Sequence, residues 1–195
     1  MKTVETNLNT QRRGLLVRGA GLTLSAAAVA MLAGCSPSRA RAGTGDYSDG
    51  SRTQDLNILN TALRAEFEAV AAYQLGADSG LLTRAMLPVA VQFQGHHREH
   101  AELLSQTIRT LGGEAAEPQA QYRFPVETLD SEQDVLTFAA GLERGAVSAY
   151  AGAIPLFANS DLAGAAASIL ADEAMHWAVL RHSLGLDPVP GAFFS

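Results

Sequence analysis

From Leu56 onward the apolar residues recur every three or four positions, the period of an α-helix, and no run rich in β-branched residues interrupts the pattern. A first stripe runs through Leu59, Leu63, Glu66, Val70, Tyr73 and Ala77 and stops near Asp78-Ser79-Gly80. After a short turn, a second takes in Met86, Ala90, Phe93, His97, His100, Leu104, Ile108 and Leu111, with Gly112-Gly113 as its stop signal and Pro88 as the site of an early kink. A third starts at about Ser131 and turns Leu136, Ala139, Glu143, Val147, Tyr150, Ile154 and Phe157 inward, with Pro155 permitting a bend near its end. The fourth, from about Asp161, carries Leu162, Ala166, Ile169, Glu173, His176, Leu180 and Leu184 and ends at Gly185. The pattern predicts an all-α domain of four helices.

The joints between these helices are unequal. Helices one and two, and helices three and four, are separated by a few residues, whereas Gly113 to Asp130 lies between two and three. A helix of about 25 residues is about 38 Å long, and 18 extended residues reach about 59 Å, so this segment can return along the whole bundle. Two antiparallel hairpins joined by a long crossover follow. The hairpins also echo each other: Glu66-x-x-Ala69-Val70-x-Ala72-Tyr73 recurs 77 residues later as Glu143-x-x-Ala146-Val147-x-Ala149-Tyr150, and His100-x-x-x-Leu104 recurs 76 residues later as His176-x-x-x-Leu180. That is the mark of an internal duplication with a pseudo-twofold axis.

Every stripe carries ionisable groups near its middle: Glu66, His97 with His100, Glu143, and Glu173 with His176. A buried carboxylate costs several kcal/mol unless it is neutralised, paired or coordinated, so these six residues need a common partner, and a metal is the simplest one. Residues three apart share a helix face, which lets Glu173-Ala174-Met175-His176 aim an oxygen and a nitrogen at one point. Dimetal four-helix bundles use one Glu from each of two helices and an E-x-x-H pair from each of the other two. This chain fills five of those six positions; in His97-Arg98-Glu99-His100 a histidine stands where the second E-x-x-H glutamate belongs. Three carboxylates and three imidazoles shift the preference toward iron, zinc, copper or manganese, in a site that is mononuclear or dinuclear. The competing reading is a metal-free, hydrogen-bonded core. His96 and Glu99 fall one residue off the stripe on a flanking, partly solvated face, and Glu68, Glu102 and His182 read as surface. Tyr73 and Tyr150, seven residues after Glu66 and Glu143, are placed to donate a hydrogen bond to a ligand carboxylate or water.

The N-terminal stretch has another character. Arg12 and Arg13 precede a weakly apolar run from Gly19 to Gly34, the layout of an export signal. About 16 apolar residues diluted by Gly and Ser are short of the roughly 20 that span a bilayer. The order Gln11-Arg12-Arg13-Gly14-Leu15-Leu16 resembles a twin-arginine signal, and Leu32-Ala33-Gly34-Cys35 resembles a bacterial lipobox with Cys35 as the lipidated residue. The expected layout is a signal over residues 1–34, a lipidated flexible tether over 35–52, and the bundle over 53–195. The protein would then be held to a membrane through its lipid, in the periplasm or at the cell surface. Cys35 is the sole cysteine, so the mature domain has neither a disulfide nor a thiolate ligand. Removal of the signal leaves 10 basic against 19 acidic residues, a net charge of −9, which argues against nucleic acid as a partner.

From Leu59 to the C-terminus the chain resembles the ferritin-like domain family of bacterial exported proteins, including desiccation-related ones. The match is carried by Ile58-Leu59-Asn60 through Glu66 to Tyr73, His100 before Leu111-Gly112-Gly113, Tyr122-x-Phe124, Leu142-Glu143 to Tyr150-x-Gly152, and Ile169-x-x-x-Glu173-x-x-His176. The resemblance implies a ferritin-like four-helix bundle with metal ligands at Glu66, His100, Glu143, Glu173 and His176, and His97 as a variant. In the dimetal proteins of this kind the E-x-x-H glutamates bridge the metals, so one bridge would be missing here. Activity does not follow from the fold. The leading expectation is an iron-binding protein, with redox chemistry toward peroxide or oxygen open to it; a structural or interaction bundle that has lost this chemistry is the alternative. Iron storage would need a multimeric shell, which a lipid on every subunit makes awkward, and a homodimer stays open.

Overall fold

A computed structural model describes residues 47–194, and the export signal, Cys35 and most of the tether expected from the sequence lie outside the described residues. Four α-helices carry the domain: α1 (Asp49–Asp78), α2 (Met86–Thr110), α3 (Glu132–Ala153) and α4 (Ser160–Ser183), with short 3-10 turns at Val126–Thr128 and Ile154–Leu156. The helix starts follow from capping side chains. Ser48, Ser131 and Asn159 each sit in extended backbone and accept a hydrogen bond from an amide of the first turn. Helix α1 therefore begins at Asp49, four residues inside the stretch assigned to the tether, because Ser48 can cap it even where apolar residues are scarce. Pro88 introduces no early kink in the sense expected: it lies in the first turn of α2, where its missing N–H would have had no helical partner.

Helices α1 and α2 pack as one hairpin and α3 and α4 as the other, with α1 also meeting α3. The segment between α2 and α3 returns along the bundle, and its course is pinned at both ends. At its start Gly112 takes the left-handed conformation (φ 80°), and a Cβ at Gly113 would collide with Leu56 of α1. Asn60 then holds the strap, donating to the Glu114 carbonyl at 3.1 Å and accepting from the Ala116 amide at 2.8 Å. Near its far end Phe124 packs edge-on against Phe138 of α3.

The interior is layered. One apolar cluster gathers Leu59, Leu63, Leu104, Ile108, Leu162 and Ile169; another gathers Tyr73, Ala90, Phe93, Leu136, Ala139 and Leu180. Between them lies a polar layer made of Glu66, His97, Glu143, Glu173 and His176, each at most 3% exposed. Among the described residues no helix is long and apolar enough to cross a membrane.

Candidate metal centre

All four helices contribute to the polar layer, and their spacing decides how. Glu66 comes from α1, His97 and His100 from α2, Glu143 from α3, and Glu173 and His176 from α4. The four-residue sets Glu66, His97, His100, Glu173 and His97, Glu143, Glu173, His176 each offer ligand atoms lying within 4.8 Å of one another. Glu173 and His97 belong to both sets. Glu173 turns Oε1 toward His100 Nδ1 at 3.1 Å and Oε2 toward His176 Nδ1 at 3.8 Å, so one carboxylate faces both halves of the layer. His97 does the same with its ring, Nδ1 to Glu66 Oε2 at 2.9 Å and Nε2 to Glu143 Oε1 at 3.3 Å. It occupies the position between the two sets with a nitrogen on either side.

The tyrosines donate across the bundle. Tyr73 of α1 gives its hydroxyl hydrogen to Glu143 Oε1 of α3, and Tyr150 of α3 gives its own to Glu66 Oε1 of α1 at 2.6 Å. Seven helical residues rise about 10.5 Å, which puts the glutamate of the same helix out of reach. Because α1 and α3 run antiparallel, each tyrosine meets the glutamate of its neighbour.

Burial and charge pull against each other in this layer. Burial pushes the Glu66 carboxyl up, but the neighbouring His100 and His97 rings outweigh it and hold it at about 2. Glu143 is likewise lifted by burial and then brought well below the carboxylate range by His176 and His97. Glu173 is the exception: burial, with Glu143 alongside, pushes it up to about 8 against the pull of His100. For His97, burial disfavours the charged ring, yet Glu143 and Glu66 raise it to about 10; for His100, Glu173 and Glu66 overcome burial and raise it to about 9. Without a cation, therefore, the layer is kept near neutrality at pH 7 by protons on His97, His100 and Glu173.

Proton sharing leaves hydrogen-bonding capacity unused. His100 Nδ1, Glu143 Oε2, both oxygens of Glu173, and His176 Nδ1 are buried without a hydrogen-bond partner; several are within contact distance of one another but not aligned to bond. A buried acceptor left unmade costs about 1–3 kcal/mol, and five in one layer is unusual. Every one of these atoms is on a residue singled out as a ligand from the sequence, and a metal ion is the one partner that would satisfy carboxylate oxygens and imidazole nitrogens together. The donor set fits a metal.

Two residues of the site were undervalued in the sequence. Asp172, beside Glu173, places Oδ2 3.2 Å from His176 Nε2 and 3.4 Å from His100 Nε2, the carboxylate support that ligand histidines commonly have. Its spacing of four from His176 was the available signal. His96 lies on a partly solvated face, as its position off the stripe predicted, but its Nδ1 meets His176 Nε2 at 2.8 Å. Glu99, Glu68, Glu102 and His182 are exposed, as their positions off the stripes predicted.

A family model described as Ferritin-like domain matches residues 54–186. Among solved structures, the chain is similar to a conserved hypothetical protein from Mycobacterium tuberculosis, with 22% identity, a TM-score of 0.63, and coverage of 75% of this chain and 99% of that one. It is also similar to ferritin-like, diiron-carboxylate proteins from Bacillus anthracis, with 20% identity, a TM-score of 0.61, and coverage of 70% and 99%. At these identities the likeness concerns the fold. No curated protein matches significantly.

Proposed function

Because the chain belongs to the ferritin-like domain family, we propose that it is an exported, lipid-anchored metal-binding protein whose buried layer carries iron and handles peroxide or oxygen. The observation that carries this reading is the set of five buried, unpartnered ligand atoms, contributed by α2, α3 and α4 and completed by Glu66 of α1. The bundle named diiron-carboxylate from Bacillus anthracis shares this fold and supports iron as the metal. Glu66, His97, His100 and Glu173 would hold one ion, and His97, Glu143, Glu173 and His176 a second or an alternative position. When bound, iron supplies the one-electron chemistry toward oxygen or peroxide that these side chains lack.

The chain's own residues do the rest. Tyr150 occupies Oε1 of Glu66 and leaves Oε2 facing His97, whereas Tyr73 donates to Oε1 of Glu143, the oxygen that also faces His97 and His176, so each tyrosine fixes the orientation of one carboxylate. His97, His100 and Glu173 hold protons that they would release on acting as ligands, which would tie metal affinity to pH. A cavity of about 520 Å³, walled mainly by α1 and α3 through residues such as Leu59, Ala62 and Ala146 and closed by Ile169 of α4, reaches Glu66, His97 and Glu143. Its apolar lining suits a small uncharged oxidant and keeps the centre dry.

The rival is a metal-free bundle. It is favoured by His97, whose charged ring between Glu66 and Glu143 already offsets part of the carboxylate charge. Elemental analysis and an optical spectrum of the protein purified from its native compartment separate the two: about one or two iron ions per chain are expected, and substoichiometric metal of every kind would end the iron reading. Mass spectrometry of the same material should find Cys35 as a lipid-modified N-terminus; an unmodified Cys35 would remove the anchor.

A further inference from the structure

The metal centre has two faces, and they differ in chemistry. The α1–α3 side is the apolar cavity, whereas on the α2–α4 side lie His96, half-exposed at 32%, and Asp172, at 25%. We infer that His96, Asp172 and the outward nitrogen of His176 form a separate, solvent-facing cation site through which metal reaches the buried centre. The inference rests on the metal-centre reading above.

Three atoms define the site. His96 Nδ1, His176 Nε2 and Asp172 Oδ2 form a triangle with sides of 2.8, 3.2 and 3.2 Å. The point equidistant from its corners is about 1.8 Å from each, so an ion at the usual ~2.0–2.2 Å from nitrogen and oxygen sits just outside the plane of the triangle. Two nitrogens 2.8 Å apart share a single hydrogen, and a cation can take that hydrogen's place. Three protein ligands leave further positions for water, which makes this a weaker and faster-exchanging site than the four-residue sets of the interior.

His176 connects the two sites. Its Nε2 faces His96 and Asp172, while its Nδ1 faces inward, 3.5 Å from Glu143 Oε1 and 3.8 Å from Glu173 Oε2, with no hydrogen-bond partner. His100 repeats the arrangement, Nε2 at 3.4 Å from Asp172 Oδ2 and Nδ1 at 3.1 Å from Glu173 Oε1. Asp172 thus contacts the outer nitrogen of both rings, and those two rings are the wall between solvent and the buried layer. A hydrated cation gathered at Asp172 is one imidazole away from the centre, on the side where the lining is polar. The stack of Phe93 on His176, with ring centroids 4.0 Å apart, fixes the plane of the ring that divides the sites.

Cobalt(II) is a suitable probe because its visible spectrum reports ligand number and geometry. The full-length protein, stripped of metal, is titrated and mixed rapidly with Co(II), beside His96→Ala and Asp172→Asn, with circular dichroism confirming that each variant is folded. The wild type should bind in a tight class and one additional weak class. Both variants should lose the weak class, keep the tight stoichiometry, and load the tight class about tenfold more slowly at low Co(II). Retention of the weak class with wild-type loading rates in both variants overturns the inference, as does a change in tight-class affinity with the weak class intact, the result of a purely orienting role. If the wild type takes up no Co(II), the metal-centre reading itself fails; tight uptake with no weak class sinks only the outer site.

Discussion

The bundle buries acidic groups in two regions and treats them in opposite ways. At one end Asp55, fully buried, accepts from the Ala158 amide at 2.8 Å on Oδ1, and from the Asn159 amide at 3.0 Å and the Tyr47 hydroxyl at 2.9 Å on Oδ2. It ties the start of α4 to α1, and both its oxygens are engaged. In the middle Glu173 is equally buried, yet neither of its oxygens has a hydrogen-bond partner. Burial of a carboxylate is common to both regions and says nothing about ligation; the unsatisfied lone pairs do. A carboxylate held by fixed amides serves the fold, and one held only by neighbouring titratable groups can exchange its protons for a cation.

The largest expected consequence is a pH dependence confined to the metal-free protein. His97 and His100 are raised to about 10 and about 9, so the stability they contribute is complete below their unfolded value near 6.5 and is lost as pH rises through 9 and 10. Glu173, raised to about 8, adds to the loss, because the unfolded chain ionises near 4.5 while the folded one must stay protonated until about 8. Glu66, lowered to about 2, acts at the other extreme: its contribution is present above about 4.5 and disappears as pH falls toward 2. Urea denaturation of the stripped protein should therefore show stability falling between pH 6 and pH 9, on the order of 5 kcal/mol, and bound metal should flatten the curve. A flat curve without metal would make the middle as self-sufficient as the Asp55 end.

Next in size is Asp55→Ala. It leaves two half-buried amides and one phenol without an acceptor, and the loss should be about 3 kcal/mol by urea or thermal denaturation. Metal content per folded chain should not change. If it fell in step with stability, the two regions would be one cooperative unit and the contrast between them would collapse.

The reverse pattern is expected for Glu173→Ala combined with His176→Ala. Metal affinity should fall by more than about 100-fold, or about 2.7 kcal/mol, as followed by competition with a chelator. The stripped variant should lose little stability, since both Glu173 oxygens and His176 Nδ1 are unpartnered and the one hydrogen bond removed is that between His176 Nε2 and His96 Nδ1. A large loss of stability with affinity intact would assign the middle to the fold.

The sequence shows these two regions unequally, for physical reasons. The helices and the ionisable positions Glu66, His97, His100, Glu143, Glu173 and His176 were readable because burial along a helix repeats every three or four residues, and a polar residue on that repeat is conspicuous. Asp55 lies on the same repeat, four before Leu59, but its partners Ala158 and Asn159 are more than 100 positions away and are backbone amides, which no side-chain pattern announces. Asp172 and His96 sit one residue off their stripes; Asp172 reaches His176 along its own helix, but only the meeting of α2 and α4 brings Asp172 to His100 and His96 to His176. The crossed tyrosine bonds depend on α1 and α3 being antiparallel neighbours, a fact of topology rather than of spacing. Ser48 shows the same limit locally: a cap that starts α1 at Asp49 lies in a stretch whose composition reads as linker.

The smallest and sharpest comparison is between the two tyrosines. Tyr73→Phe and Tyr150→Phe each remove one hydroxyl and little volume, so the apolar packing of the flanking clusters is retained and stability should change by about 1 kcal/mol or less. Loss of the hydrogen bond frees a ligand carboxylate to rotate, and supporting contacts of this kind are worth about 10–100-fold in metal affinity. The two should differ. Glu66 keeps His97 on its other oxygen at 2.9 Å when Tyr150 loses its hydroxyl. Glu143 without Tyr73 retains on Oε1 only the longer contacts to His97 at 3.3 Å and His176 at 3.5 Å, and its Oε2 has no partner. Tyr73→Phe should therefore weaken metal binding by more than Tyr150→Phe, with the Glu143 half of the centre emptying first in a chelator titration. Equal losses would mean that His97 does not break the pseudo-twofold symmetry of the site, and no loss in either would put both tyrosines with Asp55, as parts of the scaffold.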